Sequence, residues 1–295
     1  RGNQQLNHGL TASVLLEGEM QSNDSNTRNL DNSIGATPAA GTANDGNVAN
    51  WNTRHARVGL GGQWGALFMG RTSSASDGVA EIDLSAAQDV STSAADRIGG
   101  GVQVGNNNNE SITAHADNID GIGFSGTTGA QHADDRANLV RFDTPIVQGL
   151  QGRVAYTQDQ TIDAAVLYNN SFAGFEVAGG ASYVSYDADA NNVELVSDAT
   201  PDDAYSITAS VKHESGVSAT ANYGERKFDG LAANADDPTA FYGKLGYQYN
   251  NTGFAVDYTK NDDAAIVSTA NQTSELDAYG AYVQQDLGHG VSASG

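Results

Sequence analysis

Apolar and polar residues alternate with a period of two along much of this sequence, and this constrains the fold more than any other feature. In residues 10–20, LTASVLLEGEM, Leu10 and Val14 fall on one face, whereas Ser13 and Glu17 fall on the other. Successive side chains of a β-strand point to opposite faces, so the pattern predicts strands. The segments with a strand pattern are 10–20, 54–60, 66–72, 136–143, 150–157, 162–169, 175–186, 204–212, 217–223, 241–249, 254–260 and 275–285, with a further start at Val291. No segment between them predicts a helix.

Short and long connections alternate between most of these strands. The short ones contain GGQWG, TPIVQG, SFAG, ESG, NTG and DLGHG, and the long ones span 21–50, 73–135, 187–203, 228–239 and 261–274. Outer-membrane β-barrels have tight turns at one rim and long loops at the other, so the order favours an up-and-down barrel. The connection QDQT at 158–161 is an exception, because it is short where a long loop is expected.

Composition supports a barrel and leaves one alternative open. No run of about 18 apolar residues occurs, which excludes a transmembrane helix, whereas a barrel strand needs only about 9 to 11 residues. The polar faces carry small or charged residues that suit a water-filled lumen. The apolar faces carry Ala, Gly and Val, with tyrosines toward the strand ends, where membrane barrels have aromatic girdles. A soluble all-β domain would usually bury larger aliphatic residues, and it remains the alternative.

Charge and motifs exclude several classes of function. The chain has 14 Lys and Arg against 36 Asp and Glu, a formal charge of -22, which would repel the phosphates of a nucleic acid. It contains no cysteine, and its six histidines do not pair at metal-ligand spacings. The glycines of 54–72, RHARVGLGGQWGALFMGRT, imitate a dinucleotide-binding loop but lack its spacing and the helix after it, so they are interpreted as a tight turn. No hydrolase or phosphate-binding motif appears, and we expect no enzymatic activity and no cofactor.

An acidic segment follows that hairpin. Asp77, Glu81 and Asp83 recur within an otherwise small and apolar stretch, which is typical either of a solvated loop or of a loop folded into a barrel. In a narrow, water-filled gap, such acids would favour the passage of cations. Farther along the same connection, four acids are candidate Ca²⁺ ligands, although they lack the spacing of a calcium-binding loop. These are Asp117, Asp120, Asp134 and Asp135.

The order of several stretches resembles the Gram-negative general porins. These stretches are GLTASVLLEGEM, TRHARVGLGGQWGALFMGRT, SASDGVAEIDLS and DDRANLVRFDTPIVQGLQGRVAY. The resemblance implies a trimeric outer-membrane barrel of about 16 strands, in which the long loop after the fifth strand folds inward and constricts the pore. If 73–135 is that loop, two strands are missing before residue 10, residues 10–285 supply the third to the fourteenth, and Val291 begins the fifteenth. We therefore expect residues 1–295 to form a single barrel domain that lacks both ends.

The resemblance also assigns residues. Asp77, Glu81 and Asp83 match the acidic part of the constricting loop. Four arginines match, or lie near, the basic wall that faces it in this family, and they are Arg57, Arg71, Arg141 and Arg153. Because Arg71 shares its parity with Leu67 and Met69, either those two apolar residues face the lumen or a bulge near Gly70 shifts the phase.

The function expected from the sequence is a passive, water-filled channel in the outer membrane of a Gram-negative bacterium. It would pass ions and small hydrophilic solutes with a preference for cations, and it would contact lipid and form a homotrimer. Two alternatives remain. One is a solute-specific porin with an internal binding site, and the other is a non-channel acidic surface or adhesion protein.

Overall fold

A computed structural model describes residues 1–21, 50–88, 136–158, 160–186, 202–227, 236–237, 239–262 and 275–295. These residues form fourteen strands, with one 3₁₀ turn at Asn7–Gly9. The strands are β1 (Gly2–Gln5), β2 (Thr11–Gln21), β3 (Asn50–Gly62), β4 (Gly65–Ser73), β5 (Arg136–Asp143), β6 (Leu150–Thr157), β7 (Ile162–Phe172), β8 (Phe175–Ser185), β9 (Asp203–His213), β10 (Val217–Lys227), β11 (Thr239–Tyr249), β12 (Thr252–Asp262), β13 (Glu275–Gly288) and β14 (Val291–Ser294).

The strands form one antiparallel sheet in which each strand pairs with its neighbours in sequence order, from β1 to β14. This up-and-down order confirms the all-β prediction, and every strand predicted from the alternation is present. Strand β1 was not predicted, because GNQQ is polar throughout and shows no alternation. It pairs with β2 from Gly2↔Val14 to Gln5↔Thr11, so the expectation that residue 10 begins the first visible strand is wrong. The 73–135 connection accordingly follows the fourth strand of the sheet and not the third.

The sheet has two chemically different faces. Large apolar side chains lie exposed on what we call the outer face, where hydrocarbon and not water would suit them. They include Val14, Leu16, Val58, Leu67, Met69, Val140, Val154, Ile162, Val166, Ile207, Leu245 and Val256. The opposite, inner face carries polar side chains, many of them buried. They include Thr72, Asp143, Asp163, Ser182, Ser206, Thr208, Ser210, Ser218, Thr220, Asn222, Lys244 and Thr259.

Short turns join the strands at one end of the sheet. The connection between β3 and β4 contains only Gln63 and Trp64. Gly65 follows with φ +118, and a side chain there would lie 2.2 Å from the carbonyl oxygen of Asp143. Glycine is therefore required at this end of the hairpin by backbone conformation and by space. This confirms that a tight turn explains part of the glycine-rich sequence.

Candidate functional site

Residues 74–88, which we call the strap, lie across the inner face of the sheet. The strap leaves β4 and makes contacts from β5 to β12. Ala75 and Val79 have no exposed surface, because they are pressed between the strap and its surroundings. Backbone hydrogen bonds from Val79 to Ser76 and from Glu81 to Gly78 fold the segment into tight turns. The described part of the predicted loop is therefore held against the sheet.

The strap is first attached at β5, β6 and β7. Ala75 packs into a buried apolar cluster with Ala137, Leu139 and Ala155. Next to it, the backbone N–H of Ser76 lies 3.1 Å from both carboxylate oxygens of Asp163, and the Ser76 hydroxyl donates to the same carboxylate at 3.1 Å. Asp163 is only 1% exposed, so these donors replace the water that a buried carboxylate has lost.

The second attachment is the carboxylate of Asp83. It accepts hydrogen bonds from Lys244 Nζ at 2.8 Å, from Thr220 Oγ1 at 2.5 Å and from the backbone N–H of Ser85 at 2.8 Å. The Lys244 side chain has no exposed surface, and that of Asp83 is 13% exposed. Burial alone would raise the pKa of Asp83, but the hydrogen bonds from Lys244, Ser85 and Thr220 hold that pKa below its ordinary value. Asp83 therefore stays ionised, its charge is balanced by Lys244, and it attaches the strap to β10 and β11.

Polar side chains of β9 and β10 complete the contact. The backbone N–H of Leu84 donates to Ser210 Oγ at 2.8 Å, and that of Ala86 donates to Ser218 Oγ at 3.3 Å. Asn222 donates its amide to the carbonyl of Ala80 at 2.7 Å. The expectation that these polar faces line water is wrong here, because beneath the strap they satisfy its backbone. We call the inner face of β7–β12 the strap seat.

The inner face of β3–β6, next to the strap seat in the sheet, carries a group of basic residues that we call the arginine wall. Its members are Arg57, Arg141 and Arg153, with Phe68 between them. The guanidinium carbons of Arg57 and Arg141 lie 4.1 and 5.2 Å from the centre of the Phe68 ring, within the range of cation–π attraction. Arg141 faces Phe68 across the β4–β5 pair, and Arg153 faces Asp143 across the β5–β6 pair. These three arginines therefore share the inner face, which agrees with the parity of the sequence, and their role as the basic wall of a pore stays a prediction.

The members of the arginine wall differ in how they are paired. Arg141 binds Asp143 through Nε at 2.9 Å and through its terminal nitrogen at 3.1 Å, and it donates to the Ser73 carbonyl at 2.8 Å. Within the part of the chain that the structure describes, Nε and one terminal nitrogen of Arg57 are buried without a hydrogen-bond partner. Arg153 donates to Gln151 at 3.2 Å and lies close enough to Asp77 for electrostatic attraction. Among the described residues, Arg141 is therefore the member of the arginine wall that has a hydrogen-bonded carboxylate partner.

Arg71 was predicted to belong to this wall, and the structure contradicts that. Leu67 and Met69 are exposed on the outer face, and β4 runs beside β3 and β5 without a register shift. Arg71 therefore shares their outer face, where its Nε donates to the carbonyl of Thr53 at 2.8 Å. Gly70 has φ +120, but it does not change the phase, because Thr72 returns to the inner face and lies 3.1 Å from the His55 ring. Neither alternative left open by the sequence is correct.

The three predicted acids of the loop occupy different environments on the strap. Asp77 is half-buried near Arg153, Glu81 is exposed and Asp83 is tied to Lys244. The sequence analysis missed Lys244 and Asp163, which hold the strap. Each is a charged residue at an inward position on a face of otherwise small or uncharged residues, and that contrast is the signal that could have identified them.

The candidate Ca²⁺ ligands Asp117, Asp120, Asp134 and Asp135 lie outside the described residues. Among the residues that are described, no group of three or more acids or histidines is arranged to hold a metal ion. No helix in the described ranges is long and apolar enough to cross a membrane.

A sheet with an apolar outer face, and a loop folded onto its inner face, has the organisation of a pore-forming barrel. A model of the Gram-negative porin family matches residues 1–295. The chain belongs to this family. It is thus an outer-membrane β-barrel of a family of channels and not of enzymes, as the resemblance implied.

Three solved structures illustrate how this porin relates to others. The anion-selective porin from Comamonas acidovorans is 17% identical over 99% of this chain and 74% of its own, with a TM-score of 0.56. OmpF of Salmonella typhi, solved with daunomycin, is 17% identical over 96% of this chain and 75% of its own, with a TM-score of 0.53. The trimer form of OmpT from Vibrio cholerae is 12% identical over 97% and 74%, with a TM-score of 0.51. At these identities the likeness shows a shared fold. No curated protein sequence matches the chain at a significant level.

Proposed function

We propose that this porin is a passive, water-filled channel for ions and small hydrophilic solutes, with a preference for cations. The observation that carries the proposal is the strap, which lies across the inner face of the sheet and would narrow the lumen of a closed barrel. A polar lumen keeps solutes hydrated, the strap limits their size, and fixed charges alter the local concentration of ions.

The cation preference follows from the charge of the whole chain more than from the strap. Four basic and five acidic residues lie on the strap, at its anchors Lys244 and Asp163, and in the arginine wall with Asp143, so the charges of this group nearly balance. The basic ones are Arg57, Arg141, Arg153 and Lys244, and the acidic ones are Asp77, Glu81, Asp83, Asp143 and Asp163. The formal charge of the chain is nevertheless -22, so its summed field attracts cations to the entrances. We therefore expect a modest preference, one that weakens as salt screens the field. The likeness to an anion-selective porin concerns the fold and does not set the selectivity of this chain.

The proposal includes the wider 73–135 connection as the constricting loop and a homotrimer as the assembly. The trimer is supported by membership of the porin family and by the trimer form of Vibrio cholerae OmpT, which shares the fold. Because a closed barrel leaves no strand edge exposed to lipid, three barrels can associate through their apolar outer faces.

A planar-bilayer recording across a potassium chloride gradient tests the function. We expect stepwise conductance and a zero-current potential of the sign for cation preference, larger at low salt. Replacing both Asp77→Asn and Glu81→Gln should lower that potential, because each substitution removes one negative charge from the strap. Conductance that saturates or is blocked by one solute class would instead favour a solute-specific porin. Absence of conductance from correctly refolded protein would favour a non-channel surface protein.

A further inference from the structure

Three glycines lie on the strap seat directly beneath the strap. They are Gly180 on β8, Gly246 on β11 and Gly253 on β12. A Cβ atom at Gly246 would lie 2.7 Å from Ser218 Oγ and 2.9 Å from the backbone nitrogen of Ala86. One at Gly253 would lie 2.9 Å from Gln248 Oε1 and 3.1 Å from the backbone nitrogen of Ala87. None of the three has the positive φ that would itself require glycine. Crowding by the strap and by neighbouring side chains, and not backbone conformation, therefore explains the absence of a side chain.

Gly180 makes a similar contact with strap side chains. A Cβ atom there would lie 2.9 Å from Cδ1 of Ile82 and 3.2 Å from Cγ1 of Val79. Contacts below about 3 Å cannot persist in a packed interior, so one side must move. β8, β11 and β12 are hydrogen-bonded to strands on both sides, whereas side chains hold much of the strap. A side chain at one of these glycines would therefore displace the strap, and the strap would move away from the strap seat.

We infer that Gly180, Gly246 and Gly253 determine how closely the strap lies against the strap seat. Through this distance they set the size limit of the pore. The inference rests on the proposed function, because it takes the strap to narrow a conducting lumen. Gly246 should have the larger effect of the first two, since an added methyl group there meets strap backbone. At Gly180 the methyl group meets the ends of flexible side chains.

Single-channel conductance and exclusion of polyethylene glycols of graded size test the inference. Gly246→Ala and Gly180→Ala should each lower the conductance and the size of polymer that enters. Gly61→Ala is the matched control, because a Cβ at this wall glycine would have its nearest neighbours at 3.8 Å. It should conduct like the wild type. Equal conductance and equal polymer exclusion in all four proteins would overturn the inference, while stepwise conductance of the wild type would still support the proposed function.

A compensating substitution separates strap displacement from general damage to the barrel. Ile82→Ala removes the nearest of the atoms that a Cβ at Gly180 would meet, the Cδ1 atom at 2.9 Å. We therefore expect Gly180→Ala combined with Ile82→Ala to recover the conductance that Gly180→Ala loses. Heat-modifiable migration on gels identifies the folded protein before each recording. The comparison of Gly180→Ala with the double variant remains informative if Gly246→Ala does not fold. Conductance of the double variant as low as that of Gly180→Ala would contradict the inference.

Discussion

On β3–β6 the inner face carries guanidinium groups around an aromatic ring, whereas on β7–β12 the strap meets small hydroxyls, an amide, glycines and two charged anchors, Lys244 and Asp163. Both walls arise from the same alternation of apolar and polar residues. The arginine wall carries positive charge on the inner face, and the strap seat provides hydroxyl groups that accept hydrogen bonds from the strap backbone. A polar residue on the inner face can therefore have one of two roles. It can add charge to the electrostatic field of the inner face, or it can hold the strap by hydrogen bonds.

The largest effect should come from removing the charged anchor of the strap seat. Lys244→Met leaves the carboxylate of Asp83 largely buried without its cation, and loss of one partner of a buried ion pair costs about 3–5 kcal/mol. We expect the strap to detach from the strap seat. Open-channel noise should then increase, and the free energy of unfolding in denaturant should fall. Lys260→Met is the control. Its ion pair with Asp262 is 39% and 31% exposed, so its loss should cost less than about 1 kcal/mol. Equal effects of both substitutions would contradict the role of Lys244.

A change of charge on the arginine wall should alter selectivity and leave the strap attached. A unit charge about 6 Å from an ion in water contributes about 0.7 kcal/mol, or a factor of about three in local concentration. Arg57→Gln and Arg153→Gln should therefore each raise the cation-to-anion permeability ratio by up to about tenfold at low salt, because the local cation concentration rises and the local anion concentration falls by about threefold. Zero-current potentials measure this ratio, with Arg71→Gln as the control, since Arg71 lies on the outer face. A response to Arg71→Gln as large as the response to Arg57→Gln would show that the assignment of faces is wrong.

The smallest effect concerns acid. The ordinary pKa of Asp83 is 3.8, and its value in the folded protein is lower. A carboxyl group with a lowered pKa stabilises the folded state above its ordinary pKa, and this contribution is lost as pH falls through the folded value. Conductance noise should therefore stay constant from neutral pH to about pH 4 and rise only below it. Asp83→Asn should abolish that acid-dependent rise, and an unchanged acid response in this variant would exclude Asp83 as its source.

Local sequence predicted the strands, because alternation is a property of neighbouring residues. β1 escaped prediction, since GNQQ has no apolar residue to alternate and is recognised only by its pairing with β2. The facing of Arg57, Arg141 and Arg153 also followed from parity. Arg71 was misplaced because resemblance to a family does not fix the phase of one strand.

The strap seat could not be predicted in the same way. Lys244 and Asp83 are separated by 161 residues, and Asn222 is 142 residues from the carbonyl that it binds. Such contacts depend on the order of strands in the sheet and on the path of the loop. In the sequence, Ser210, Ser218 and Thr220 look the same as residues that line water. Burial beneath the strap distinguishes them.

Cross-linking between the strap and its seat tests the central claim most directly, namely that residues 74–88 lie across β7–β12. The chain has no native cysteine, so Ala86→Cys can be combined with Ser218→Cys, since the backbone nitrogen of Ala86 lies 3.3 Å from Ser218 Oγ and the Asp83–Lys244 ion pair is left intact. Ala86→Cys with Thr72→Cys is the control, because β4 lies six strands away from β10 in the sheet. We predict rapid disulfide formation in the folded porin for the first pair and none for the second, detected by mass spectrometry of the peptides. Failure of the first pair to cross-link, or equal cross-linking of both pairs, would contradict the placement of the strap.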